Sequence, residues 1–127
     1  MYSHLTVGSN DIDRSKRFYD AVFAVLGAGP GFLDPNGRVA YSHNGNNFMV
    51  TKPIDGEPAS AANGGTIGFA MSGPDQIKAW HDAGVANGGT SCEDPPGVRN
   101  AAFGDMYLAY LRDPDGNKLC GLHMMAK

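Results

Sequence analysis

Cysteine is scarce in this sequence: only Cys92 and Cys120 occur, far apart and in no CxxC spacing. That excludes a disulfide framework and a structural zinc knuckle, and predicts reduced thiols. Charge is also thin. Charged residues make up 18% of the 127 positions, and the formal charge of -3 is spread along the chain, so neither a disordered segment nor a nucleic-acid partner is indicated. No apolar run approaches the roughly 20 residues a membrane helix needs, and the N-terminus lacks a charged segment followed by an apolar signal core. A cytoplasmic protein with no membrane partner is expected. Glycine-rich phosphate loops, nucleophile elbows and HExxH helices are missing too, which removes the commonest motif routes to a named enzyme class.

What the sequence does have is 42% apolar residues and 18 glycines, enough for one domain with a hydrophobic core and many tight turns. Ser3 to Gly8 reads as a strand, with Leu5 and Val7 alternating against His4, Thr6 and Gly8. Asn10 or Asp11 caps the helix that follows, whose apolar face carries Ile12, Tyr19, Val22 and Leu26 and which stops at Gly27. Residues 38–43 and 47–52 form a hairpin across Asn44, Gly45 and Asn46. Residues 54–65, rich in Gly, Ala, Ser, Asn and Pro, read as a linker.

The order then repeats. Thr66 to Met71 is strand-like, Ser72 or Gly73 starts a helix with Pro74 in its first turn and Ile77, Trp80 and Val85 toward a core, and a second hairpin joins residues 107–112 to 117–123 across Asp113, Pro114, Asp115 and Gly116. A shift of 62 places His4 on Thr66, Phe18 on Trp80 and Gly27 on Gly89; a shift of 71 places Gly45 on Gly116 and Met49 on Cys120. Shared offsets across strand, helix and hairpin predict duplication: module one over about 1–53, module two over about 66–127, together one domain.

The segments SHLTVGSNDIDRSKRFYDAVFAVLG and YLAYLRDPDGNKLCGLH resemble the opening and close of vicinal oxygen chelate proteins, the superfamily of glyoxalases, bleomycin-resistance proteins and extradiol dioxygenases. The stretch between them is similar to the middle of small bacterial glyoxalase-like members. The resemblance implies an α+β fold of two tandem βαβββ modules, curved into a half-open barrel with helices on its outer face and a small-molecule cavity within. A homodimer is expected, because the family commonly pairs modules between chains and short curved sheets leave edges to cover.

In metal-using relatives four side chains, two from each module, converge on one divalent ion. The resemblance maps these positions to His4, Met49, Thr66 and Cys120. The usual set is His and Glu; a thioether and a neutral hydroxyl replace neither. His4 and Cys120 remain as the two competent donors, a pair expected to hold a divalent ion weakly or not at all, so no cofactor is expected and classical metal-dependent glyoxalase I chemistry is disfavoured. His4 is either a histidine satisfied by one hydrogen bond or a ligand, acid or base; Cys120 is either a small buried hydrophobe or a reactive thiol. Met49 and Thr66 read as cavity lining, and Arg99 and Tyr107 as a cation and an aromatic wall at its mouth. His43 and His81 read as solvated, His123 as a surface residue near a strand end, and Arg14, Lys16 and Arg17 as a solvated helix face. Two functions stay open: a lyase or dioxygenase-like enzyme acting on a small organic molecule, or a protein that binds or sequesters one. A purely structural dimerising module is the third reading.

Overall fold

The computed structural model describes residues 1–125. Module one runs β1 (Leu5–Gly8), α1 (Ile12–Val25), β2 (Phe32–Leu33), β3 (Val39–His43) and β4 (Asn46–Thr51). Module two runs β5 (Ile67–Ala70), α2 (Pro74–Ala86), β6 (Thr90–Ser91), β7 (Gly97–Ala101), β8 (Gly104–Arg112) and β9 (Lys118–Met124). The fold is α+β, with two open sheets ordered β1-β4-β3-β2 and β5-β9-β8-β6; β7 pairs with the other end of β8 on the same side as β6. No described helix is long and apolar enough to cross a membrane.

The repeat is written into strand register. β1 pairs in parallel with β4 through Leu5 and Phe48, and β5 with β9 through Ile67 and Leu119, so the two offsets of 62 and 71 hold residue by residue. β7 was not anticipated. Its Gly97–Ala101 segment lacks apolar alternation and its Val98 is exposed, so only pairing with β8 reveals it as a strand.

α1 forms because Ser15, Phe18, Tyr19, Val22 and Phe23 fall at helical spacing on one buried face, and because Asp11 caps it by accepting from the Arg14 amide. It ends where Gly27 takes a φ of 91°. α2 starts on Pro74 and buries Ile77, Trp80 and Gly84; Val85, expected toward the core, is exposed instead. Both helices lie on one side of the sheets and pack against each other. Their apolar faces meet Val39, Tyr41, Phe48 and Val50 from the first sheet and Tyr107, Ala109, Leu111 and Leu119 from the second, in one continuous core. Each fully buried side chain there, such as Phe18 or Trp80, contributes about 1.5–3 kcal/mol by leaving water.

The 54–65 segment contains turns and no strand. It is pinned rather than loose: Asn10 accepts from the Ala59 amide at 2.7 Å and donates to the Ala59 carbonyl at 3.1 Å.

Candidate functional site

A cavity of about 820 Å³ opens where the start of β1, the β3–β4 turn, β5 and the first turn of α2 come together. That lies within the range of small-molecule sites, roughly 300–1,000 Å³. Its floor is aromatic. Phe23, Phe48 and Phe69 line it, with ring centres 5.2 Å apart for Phe23 and Phe48 and 5.4 Å for Phe23 and Phe69. Its rim is polar: His4, His43, Asn44, Asn46, Thr66 and Gln76 line it, and no Asp, Glu, Lys or Arg does among the described residues.

His4 and Thr66, each immediately before the first strand of its module, are thus brought to one cavity. The Ser3 hydroxyl meets His4 Nδ1 at 2.8 Å, leaving Nε2 as the nitrogen that can meet a ligand. Met49 and Cys120 are not among its lining residues. Met49 sits opposite Thr6, on the face of β4 turned away from Phe48 and Val50. Cys120 sits opposite Gly68 and Tyr110, buried, with its Sγ 3.6 Å from the Gly121 carbonyl. Burial pushes the Cys120 thiol up, against a smaller opposing pull from a hydrogen bond with Tyr110, so the thiolate form is disfavoured.

Arg99 lies in β7 opposite Met106, on the same face as Tyr110 and Cys120. Its guanidinium turns back onto its own loop, donating to the carbonyls of Asp94 and Pro95 at 3.0 Å each. Beside it Lys118 pairs with Glu93 and lies 4.8 Å over the Tyr110 ring. Tyr107 is elsewhere: it faces the helices, is 8% exposed, and has the Lys78 ammonium of α2 5.9 Å from its ring centre. An odd separation along β8 puts Tyr107 and Tyr110 on opposite faces, and pairing of Tyr110 with Cys120 then carries Tyr107 into the core.

Other expectations also shift. His43 is half-buried and lines the cavity, held by the Asn44 amide at 3.2 Å from Nε2. His81 is half-buried against Ser91 Oγ at 2.9 Å, and burial holds its imidazole below its usual range. His123 is half-buried too, its Nδ1 3.1 Å from the Met71 carbonyl. Arg14 is exposed as expected, and it also pairs with Asp115 at 2.8 Å. The aromatic floor and Gln76 escaped sequence reasoning, since apolar residues at helical and strand spacing read as core whether or not a cavity lies beside them.

The metal that such a fold implies does not fit these side chains. Met49 offers a thioether, Thr66 a neutral hydroxyl, and the Cys120 thiol is buried and held protonated. Among the described residues, no three His, Cys, Asp or Glu side chains gather in a way that could hold an ion.

Two open sheets with helices on one side, an internal repeat at the level of register and a cavity between the modules define a glyoxalase-type protein, and the chain belongs to the Glyoxalase/Bleomycin resistance protein/Dioxygenase superfamily, whose model matches residues 2–120. It is similar to a glyoxalase/bleomycin resistance protein from Albidiferax ferrireducens T118, with 54% identity, a TM-score of 0.93, and 97% of this chain and 98% of that one covered. The fold also matches a lactoylglutathione lyase from Agrobacterium tumefaciens (18% identity, TM-score 0.66, covering 96% of this chain and 92% of that one). A glyoxalase/bleomycin resistance protein/dioxygenase family enzyme from Burkholderia phytofirmans PsJN matches at 16% identity and TM-score 0.73, covering 97% of this chain and 98% of that one. No curated protein matches the chain.

Proposed function

We propose that this protein binds a small organic molecule in the cavity between its modules, and does so without a tightly held metal ion. The observation that carries this reading is the pairing of an aromatic floor, Phe23, Phe48 and Phe69, with a polar rim of amides, a hydroxyl and imidazoles in a space of about 820 Å³. Apolar burial supplies affinity in such a site and a few polar groups orient the ligand. The side chains at the family's four metal positions, His4, Met49, Thr66 and Cys120, favour a binding protein over a metal-dependent lyase. The test has two parts. Elemental analysis of purified protein is expected to find well below one equivalent of zinc, nickel, manganese or iron per chain. A thermal-shift panel of small aromatic compounds is expected to contain stabilisers, since a ligand at 100 times its Kd stabilises by about 2.7 kcal/mol. Stoichiometric metal, or a panel without a single shift, overturns the proposal.

One observation favours a second, enzymatic reading: His4 lines the cavity with Ser3 engaging Nδ1, which leaves Nε2 for proton transfer at a bound molecule. Turnover of a panel compound that His4→Gln abolishes, with binding kept, would select it.

The working form is proposed to be a cytoplasmic homodimer. Edge strand β2 exposes Phe32 at 66% and Leu33 at 50%, and edge strand β7 exposes Val98 at 51%, apolar edges that a second copy would cover. Light scattering that finds only the 13.4 kDa monomer would remove this part.

A further inference from the structure

The two modules meet at two corners that the internal repeat makes equivalent. At one, the first turns of α1 face the β8–β9 turn; at the other, the first turn of α2 faces the β3–β4 turn. The first corner is closed. Asp115 accepts from Arg14 at 2.8 Å and from Ser15 Oγ at 3.1 Å, and Asn117 donates to the Gly8 carbonyl at 3.1 Å.

The second corner carries matching positions on a shorter turn, with different chemistry. A shift of 62 takes Arg14 to Gln76 and Gly8 to Ala70; a shift of 71 takes Asn44 to Asp115 and Asn46 to Asn117. An ion pair in the first corner is thus a pair of carboxamides in the second. These carboxamides do not meet: Gln76 donates to the Val25 carbonyl at 3.1 Å and accepts from the Ser72 amide at 2.8 Å, while Asn44 turns to His43. Gln76, Asn44, Asn46 and Ala70 all line the cavity instead of closing it.

The geometry points to this open corner as the recognition site for an uncharged, flat aromatic molecule with hydrogen-bonding groups along one edge. The inference rests on the proposed binding function and names its ligand class. The phenyl floor accepts a ring by stacking or edge contact. The amide and imidazole rim satisfies donors and acceptors on the molecule's edge. Among the described residues no Asp, Glu, Lys or Arg lines the site to answer a formal charge, and taking an ion out of water without a partner is strongly unfavourable.

A matched pair of fluorescent probes separates the possibilities: uncharged N-phenylnaphthylamine and its sulfonated analogue, anilinonaphthalene sulfonate. Each is titrated against the full chain, against Gly68→Leu, and against the double variant Asn44→Asp with Gln76→Arg. Gly68 lines the cavity, and a Cβ added there meets no atom within 4 Å, so leucine obstructs the space while the strand gains a better residue. The double variant copies the closed corner's charges into the open one. Expected are one saturable site per chain for the uncharged probe, at least ~10-fold weaker binding of the sulfonate, and at least ~10-fold weaker binding of the uncharged probe by either variant. Equal or tighter sulfonate binding that the variants still weaken overturns the ligand class and leaves the cavity as a binding site. Binding that neither variant changes, or no binding of either probe, overturns both this inference and the cavity's proposed function. Should one variant fail to fold, the other decides.

Discussion

The closed corner at the β8–β9 turn and the open corner at the β3–β4 turn derive from one repeated plan, yet one is a fastener and the other a mouth. The difference lies in the side chains and in the turns that carry them: the β3–β4 turn is Asn44 and Gly45 alone, with Asn44 at a φ of 50°, whereas the β8–β9 turn runs from Asp113 to Asn117. In the closed corner Asp113 is 3% exposed and takes the Tyr19 hydroxyl at 2.6 Å, the Asp115 and Asn117 amides at 2.9 Å each, and Asn117 Nδ2 at 2.9 Å. In the open corner the residue 71 positions earlier, Ser42, is exposed, and its hydroxyl bonds Asn47. The counterpart of Tyr19 is His81, which turns to Ser91 and takes no part in the corner. A duplicated fold can therefore divide labour between its halves: charge and a buried phenol weld one junction, and neutral amides keep the other accessible.

The sharpest way to break this contrast is to compare Asp113→Ala with Ser42→Ala. Removing Asp113 strands a buried tyrosine hydroxyl and two turn amides, and is expected to cost about 3 kcal/mol. Removing the Ser42 hydroxyl is expected to stay within about 0.5 kcal/mol. Urea melts measure both; similar losses would mean that the corners are energetically alike.

Next in size is Tyr19→Phe, which takes one charge-assisted hydrogen bond from Asp113 and should cost about 1.5 kcal/mol. His81→Ala, the matched change, should cost less than half of that, and a reversed order of melting temperatures would contradict the assignment of roles. Arg14→Gln makes the closed corner resemble the open one. With the Arg14 side chain 46% exposed and that of Asp115 at 1%, a loss of up to about 1 kcal/mol is expected, shrinking in high salt. A loss that salt does not change would assign the contribution to packing rather than charge.

Proton linkage sharpens the comparison further. Burial, then the neighbouring Asp113, hold Tyr19 well above the usual phenol range, and burial with the Asp20 hydrogen bond does the same for Tyr41. Both keep their protons in the folded state longer than in the unfolded chain, so stability should fall as pH rises above about 10. Tyr19→Phe and Tyr41→Phe should each flatten that fall. Asp20 behaves oppositely: burial pushes it up, but Lys16, the Gly31 amide and the Tyr41 hydroxyl together outweigh that and lower it. Its contribution is present above about pH 4, the unfolded value, and is lost as pH falls through the folded one. Urea midpoints from pH 2 to 5 should therefore drop less steeply for Asp20→Asn, which is the smallest effect expected.

Much of the fold was legible because the strands of the two modules repeat at fixed offsets that survive as register, β1 on β4 and β5 on β9; the second helix stop falls one residue early, with Gly88 rather than Gly89 taking the left-handed φ of 99°. The cavity was less legible, for a reason that Phe69 illustrates: its place in β5 reads as core, yet it lines the cavity beside Phe23. Tyr107 was readable in principle, since counting back across the Asp113–Asn117 turn to Cys120 gives its parity and hence its face. The Arg14–Asp115 pair was not, because no local pattern announces a partner 101 residues away.

That separation bears on how the chain reaches its native state. The turn carrying Asp113 and Asn117 fastens to residues 94 and 109 positions earlier, so α1 cannot gain its buried phenol's partner until nearly the whole sequence is in place. Closing so wide a loop adds little to the free energy, because the cost grows only with the logarithm of its length, but such distant pairings slow the search for the folded state. The first module is thus committed last at its own beginning. During synthesis the Tyr19 hydroxyl has no Asp113 to meet until the β8–β9 hairpin is made.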